Sequence, residues 1–214
     1  MDAAIDMLLR RLKGRAALQA VRRLTTAKRD LRTELLDSAL LNVGALGWTD
    51  VALAKAARDI GLSPLNHGLA SRGAVDIVLH FLKSKRAHVF SLMQQSAPPP
   101  GPEVPPGLGV REELMYRAIA AHLDYLQPYR NSWPSAVALL AAPQNVLDVL
   151  DTVGDLADDL CTYAGTAPTR GDWYTDRAHL LSLYCCVELY FLTDSSEDLL
   201  DTKSFLRRIL KIRN

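Results

Sequence analysis

No stretch of this chain alternates apolar and polar residues with the period of two that a half-buried strand requires, while apolar residues recur at three- and four-residue spacing along most of its length. That pattern restricts the fold to packed helices, an all-α class. Leu31, Leu35, Leu36, Ala39, Leu40 and Val43 mark a first helix that stops at Gly44 and Gly47. Thr49 and Asp50 are good cap residues for a second, ending at Ile60 before Gly61. Ser63-Pro64 opens a short third helix, and a fourth runs from about Gly73 to Gln95. The run APPPGPEVPPGLG (97–109) is neither helix nor strand and reads as a surface linker. Beyond it come a helix from Val110 to Gln127, breaks at Pro128 and Pro134, a short helix to Ala142 and a long one from Pro143 to Ala164. The loop 165–171 leads to the most apolar helix, 172–193, and Asp194, Ser195 and Ser196 cap a last helix reaching Arg213. The chain divides into a basic segment (1–30), a helical unit (31–96), the linker (97–109) and a second helical unit (110–214).

The 214 residues suffice for a sizeable core, and 49% of them are hydrophobic, yet the formal net charge is only +1. A near-neutral chain lacks the basic excess typical of nucleic-acid binders, so no nucleic acid is expected as a partner. Cys161, Cys185 and Cys186 form no C-x-x-C pair and are expected to be packed thiols. The most apolar segment, Leu180–Leu192, is interrupted by Glu188 and falls short of the roughly 18 residues a membrane span needs. Residues 1–29 carry eight Lys/Arg against Asp2 and Asp6, with Ile5, Leu8, Leu9 and Leu12 on one helical face. Such a start suits either a mitochondrial presequence or an ordinary surface helix.

Catalytic signatures are missing. There is no E-x-x-H pair for a di-iron site, no phosphate-binding glycine loop and no nucleophile elbow, and the five histidines lack ligand spacing. The expectation is a non-enzyme with no cofactor and no metal. What remains points to binding. In 143–164, Val146, Val149, Leu150, Val153, Leu156 and Leu160 form one stripe, and Asp148, Asp151, Asp155, Asp158 and Asp159 form the other. That acidic face is either solvated or meets a basic partner. Trp173 and Tyr174 open the next helix beside it, and such aromatics dominate binding hot spots. Helix 172–193 is apolar nearly all round, which makes it central or part of a dimer interface. Its Glu188 is then a buried carboxylate in need of a partner such as Arg130, His122 or a second subunit.

Two resemblances follow from these residues. "LAKAARDIGLSPLNHGLASRGAVDIVLHF" resembles the helix–turn–helix of tetracycline-repressor (TetR) regulators, but its third helix offers Leu65, Asn66, His67 and Leu69 with no cation before Arg72. Phosphate contacts supply most of a DNA binder's affinity, so the scaffold is expected to survive without DNA binding. "DDLCTYAG" (158–165), "WYTDRA" (173–178), "ELYFLTDSS" (188–196) and "DTKSFLRRI" (201–209), with "LQPYRNSWPSAVALLAAPQN" upstream, together resemble the ninth protein family of coenzyme Q (ubiquinone) biosynthesis. This resemblance implies a TetR-like fold, an N-terminal unit packed on a C-terminal ligand-binding bundle, on the matrix side of the mitochondrial inner membrane. It also implies an isoprenoid or quinone-precursor lipid as ligand and docking to a di-iron hydroxylase of the pathway; a homodimer, from the apolar helix 172–193, and a peripheral membrane contact are expected beside it. Carried over, the docking patch falls on Asp158, Leu160, Trp173 and Tyr174. Leu123, Leu126, Leu150 and Leu183 are the candidate lipid-lining residues, and Lys203, Arg207, Arg208 and Lys211 the candidates for a membrane surface. Arg170 stands where the family has an acid, and the family's further amphipathic helix has no counterpart before Asn214. The competing reading is a TetR-type ligand-responsive transcription regulator.

Overall fold

The computed structural model describes residues 15–63, 69–96, 108–163 and 173–212. Every secondary-structure element of the described residues is helical, as expected, with no strand among them: α1 (Arg15–Leu46), α2 (Asp50–Asp59), α3 (Ala74–Ser96), α4 (Leu108–Leu126), α5 (Trp133–Leu140), α6 (Val146–Tyr163), α7 (Trp173–Thr193) and α8 (Leu200–Ile212). The body of the short third helix predicted at Ser63-Pro64, most of the 97–109 linker, the 165–171 loop and the first 14 residues lie outside the described part. Among the described residues no single helix is long and apolar enough to cross a membrane.

The chain forms two compact units, Met1–Ile77 and Val78–Asn214, with the boundary inside α3. In the first unit α1 begins at Arg15, sixteen residues before the periodic stretch that starts at Leu31, and runs through Gly44. It stops only at Gly47, whose φ of +68° is the left-handed conformation that ends a helix. Thr49 caps α2 as the sequence predicts, its hydroxyl accepting from the Ala52 N–H at 3.4 Å. The far end of α2 is a Schellman turn: Leu62 N–H donates to Ala57 O at 2.7 Å and Gly61 N–H to Arg58 O at 3.0 Å. Leu35, Leu36, Ala39 and Val43 of α1 are buried, as are Ala52, Leu53, Ala56 and Ala57 of α2. Arg32 fastens the start of α3, donating from Nε to Leu69 O at 2.8 Å and pairing with the buried Asp76 at 3.0 Å.

Among the described glycines of this unit, Gly73 is the one where a side chain has no room. Its φ is +65°, and an added Cβ would lie 2.5 Å from the Asp50 Oδ1 that accepts the Ala74 N–H at 2.8 Å. Gly73→Ala combines the left-handed penalty with loss of that hydrogen bond, about 2–3 kcal/mol together. A thermal melt should therefore fall by several degrees; an unchanged melt would show that Asp50 yields at no cost.

In the second unit α4 packs against α6, α7 and α8, while α7 packs against α6 and α8. The buried face of α7 is Leu180, Leu183, Tyr184, Val187 and Phe191, a regular helical stripe. The opposite face, with Cys185, Cys186 and Leu189, is exposed. Of the three cysteines only Cys161 is buried, which corrects the expectation that all are packed: the stripe places 185 and 186 on the outer side of α7. Pro128 sits in a single 3₁₀ turn (Gln127–Tyr129) and Pro134 in the first turn of α5, where a missing N–H is harmless. Asp194 prepares α8, as the cap reading requires, by accepting hydrogen bonds from both Ser196 and Thr202.

Candidate functional site

The end of α6 and the start of α7 form one corner, tied by Arg177 Nε donating to Asp158 Oδ1 at 2.5 Å. Tyr174 projects there, 79% exposed. Trp173 is the first residue of α7, and its side chain is outside the described structure. Leu160 differs from its expected place at the patch surface. With Ala157 and Cys161 it makes the inner stripe of α6 and is fully buried, so it braces the corner from beneath. Of the four docking candidates, the described structure thus presents Tyr174 and Asp158 at the surface, with Asp158 already engaged by Arg177.

The acidic face of α6 is met from within the same chain. Arg86 of α3 donates to Asp155 Oδ2 at 2.5 Å and grips both oxygens of Asp159 through Nε and Nη2. The hydrogen bond to Asp159 leads in raising the Arg86 pKa further, while burial followed by the Asp159 charge pushes the Tyr163 hydroxyl up to about 12. Sequence spacing could not pair residue 86 with residues 155 and 159, because only the packing of α3 on α6 brings them together.

The lipid-lining candidates split. Leu123, Leu126 and Leu183 lie in the packed interior. Leu150 does not: at 59% exposed it stands with Val146 and Leu147 on an outer apolar patch of α6, because the buried line of this helix starts only further along, at Ala157. The partner of Glu188 also differs from expectation. Trp133 Nε1 donates to Glu188 Oε1 at 2.6 Å, whereas Arg130 donates to Leu192 O at 3.3 Å and lies over the Phe191 ring. Beside Glu188, Lys85 Nζ donates to Tyr184 Oη at 3.0 Å, and His122 meets the Tyr184 ring edge-on at 5.9 Å. Burial, then the Glu188 charge, pushes the Tyr184 hydroxyl well above its ordinary range. No cluster of three metal-ligating side chains occurs among the described residues.

The basic residues of α8 are partly spent on α4. Lys203 lies 3.8 Å from Asp124, and Arg207 lies 3.8 Å from Glu113 and over the Tyr116 ring at 4.0 Å. Arg208 lies over Phe205 on its own helix, and both it and Lys211 are exposed.

Comparison with known proteins agrees with this architecture. A sequence profile of the COQ9 family matches residues 146–213. The ubiquinone biosynthesis protein COQ9, mitochondrial, of Drosophila melanogaster is 34% identical over 177 residues, 83% of this chain and 53% of the relative. The Homo sapiens protein of the same name is 30% identical over 185 residues, 84% of this chain and 56% of the relative. The chain therefore spans about half the length of the curated relatives it matches. A TetR transcriptional regulator from Nitrosomonas europaea superposes with a TM-score of 0.63, covering 86% of this chain and 97% of that one, at 17% identity. That likeness speaks for the fold alone. The chain is thus similar to COQ9 proteins over most of its length and has a TetR-like, all-helical fold.

Proposed function

We propose that this chain is a lipid-binding accessory protein of ubiquinone biosynthesis, one that holds an isoprenoid or quinone-precursor lipid and docks a di-iron hydroxylase of the pathway without catalysing a reaction itself. The observation that carries this reading is the similarity to COQ9 proteins across 83–84% of the chain, those relatives being named mitochondrial ubiquinone biosynthesis proteins. The mitochondrion, on the matrix side of the inner membrane, is the location that accompanies it. Three features of the second unit support the reading. The exposed Tyr174, beside the Asp158–Arg177 pair, has the composition of an interface anchor with a polar rim. The apolar outer face of α7, with Leu189 66% exposed, is a surface that a second copy would cover in a homodimer. Arg208 and Lys211 leave cations at the surface of α8 for an anionic membrane.

Affinity capture tests the docking half. The purified chain, mixed with the hydroxylase of the same organism, should retain it through a size-exclusion column as a defined complex. Separate elution at micromolar concentrations of both would contradict the reading.

A further inference from the structure

Between Arg130 and Asp148 the chain carries no charged residue, and much of this tract lies at the surface. It builds α5, a single 3₁₀ turn at Pro143–Asn145 and the start of α6. The two arms meet at an elbow bent by 78°. Val137 on α5 is 41% exposed, and Val146 and Leu147 at the start of α6 are 42% and 79% exposed. Leu150, on the next turn, is exposed as well. Aliphatic side chains gathered at a surface mark a contact with something apolar.

The elbow has closed its own polar groups. Ala141 N–H donates to Val137 O at 2.9 Å, Ala142 N–H to Leu139 O at 3.4 Å, and Asn145 N–H to Ala142 O at 2.9 Å. The Asn145 side chain is buried and donates from Nδ2 to Leu139 O at 2.8 Å. A joint between helices in water can leave such groups to solvent, whereas in hydrocarbon each unsatisfied one is costly. Residues 134–147 include no Trp, Tyr or Arg, the side chains that anchor most protein interfaces. Beyond the tip stands Asp151, exposed and one turn along from Leu147. A carboxylate there disfavours an anionic surface and leaves a neutral one.

We propose that the α5–α6 elbow is a membrane-insertion tip, its exposed aliphatic side chains entering the outer acyl region of a zwitterionic bilayer while Asp151 stays among the head groups. One helical turn is about 5.4 Å, which matches the shallow depth of roughly 5–10 Å at which interfacial elements sit. The contact goes beyond the function proposed above. It depends on apolar area where the α8 cations depend on charge, and it involves no ligand held inside the chain.

Flotation of the purified chain with vesicles of phosphatidylcholine alone, at low and at high salt, tests this. The chain should float equally well in both, because no charge attracts it to the surface. Leu147→Gln with Leu150→Gln should weaken partitioning about a hundredfold, roughly tenfold for each leucine withdrawn. Arg208→Gln with Lys211→Gln should leave it unchanged. Both leucines are exposed and glutamine suits a helix, so the melt of the elbow variant should not move. If that variant nonetheless fails to fold, Leu147→Trp decides the matter: phosphatidylcholine brominated on its acyl chains should quench it beyond the wild type. A wild type that does not float, or floats only with anionic vesicles at low salt, would overturn the insertion tip. Equal flotation of wild type and elbow variant, or no added quenching at position 147, would do the same. A wild type that ignores vesicles, beside an elbow variant that no longer associates with itself or with the hydroxylase on a size-exclusion column, would give the elbow to a protein partner instead. Lipid retained inside the chain should be the same in wild type and elbow variant, so this proposal and the ligand reading fail separately.

Discussion

Asp194→Ala is expected to lower the melting temperature by about 10 °C. The Asp194 carboxylate accepts four hydrogen bonds: Oδ1 from the Ser196 N–H at 2.7 Å and its hydroxyl at 2.6 Å, Oδ2 from the Thr202 N–H at 2.8 Å and its hydroxyl at 2.5 Å. Thr202 is completely buried, so alanine at 194 strands a backbone donor and a hydroxyl in the interior. Hydrogen bonds to a charged acceptor, together with the desolvation of abandoned donors, put the cost at about 3–4 kcal/mol. For a chain of this size each kcal/mol moves the melt by roughly 2–4 °C. The effect also has a pH signature. Burial opposes ionisation of Asp194, but the Ser196 and Thr202 hydrogen bonds outweigh it and hold the pKa far below the carboxylate range. With the folded pKa below the unfolded value of roughly 3.9, the contribution is complete above that value and is lost as pH falls through the folded pKa. The gap between wild type and variant should therefore be constant from about pH 6 to 8 and should close in strong acid. Melts that coincide at neutral pH would mean that α8 does not depend on this cap.

Tyr174→Ala is expected to do the opposite, leaving the melt almost untouched while weakening hydroxylase binding about thirtyfold, the equivalent of roughly 2 kcal/mol. At 79% exposed, Tyr174 offers the fold little that truncation could remove. Asp158→Ala should act more weakly, because that carboxylate is occupied by Arg177 within the chain. Calorimetric titration beside a thermal melt reads both quantities. A melt many degrees lower, or full affinity with alanine at 174, would take the tyrosine out of the interface.

The helical class, the Thr49 cap, the break around Pro128 and Pro134 and the Asp194 cap all follow from local chemistry: residue period, side-chain oxygens at helix starts and the missing proline N–H. Features that depend on tertiary neighbours did not. The stripe of α6 reads as apolar from Val146 onward, yet only its later turns are buried, so Leu150 is outside and Leu160 inside. A run of aspartates without cations leaves open a solvated face or a basic partner, and the cations prove to be Arg86, on α3, and Arg177, on α7. Glu188 was recognisable as a carboxylate needing a partner. Its partners include an indole, Trp133, and the Tyr184 hydroxyl, rather than Arg130 or His122. In each case the residue types were informative and the pairing was not, because pairing is set by which helices touch.

Whether this chain carries a lipid is read out by native mass spectrometry of the purified chain. The expected result is an added mass that dissociates on activation and is identified as an isoprenoid-containing or quinone-type lipid, retained from the cell or taken up from vesicles loaded with polyprenyl quinone. Apo-protein alone, before and after exposure to those vesicles, would contradict it.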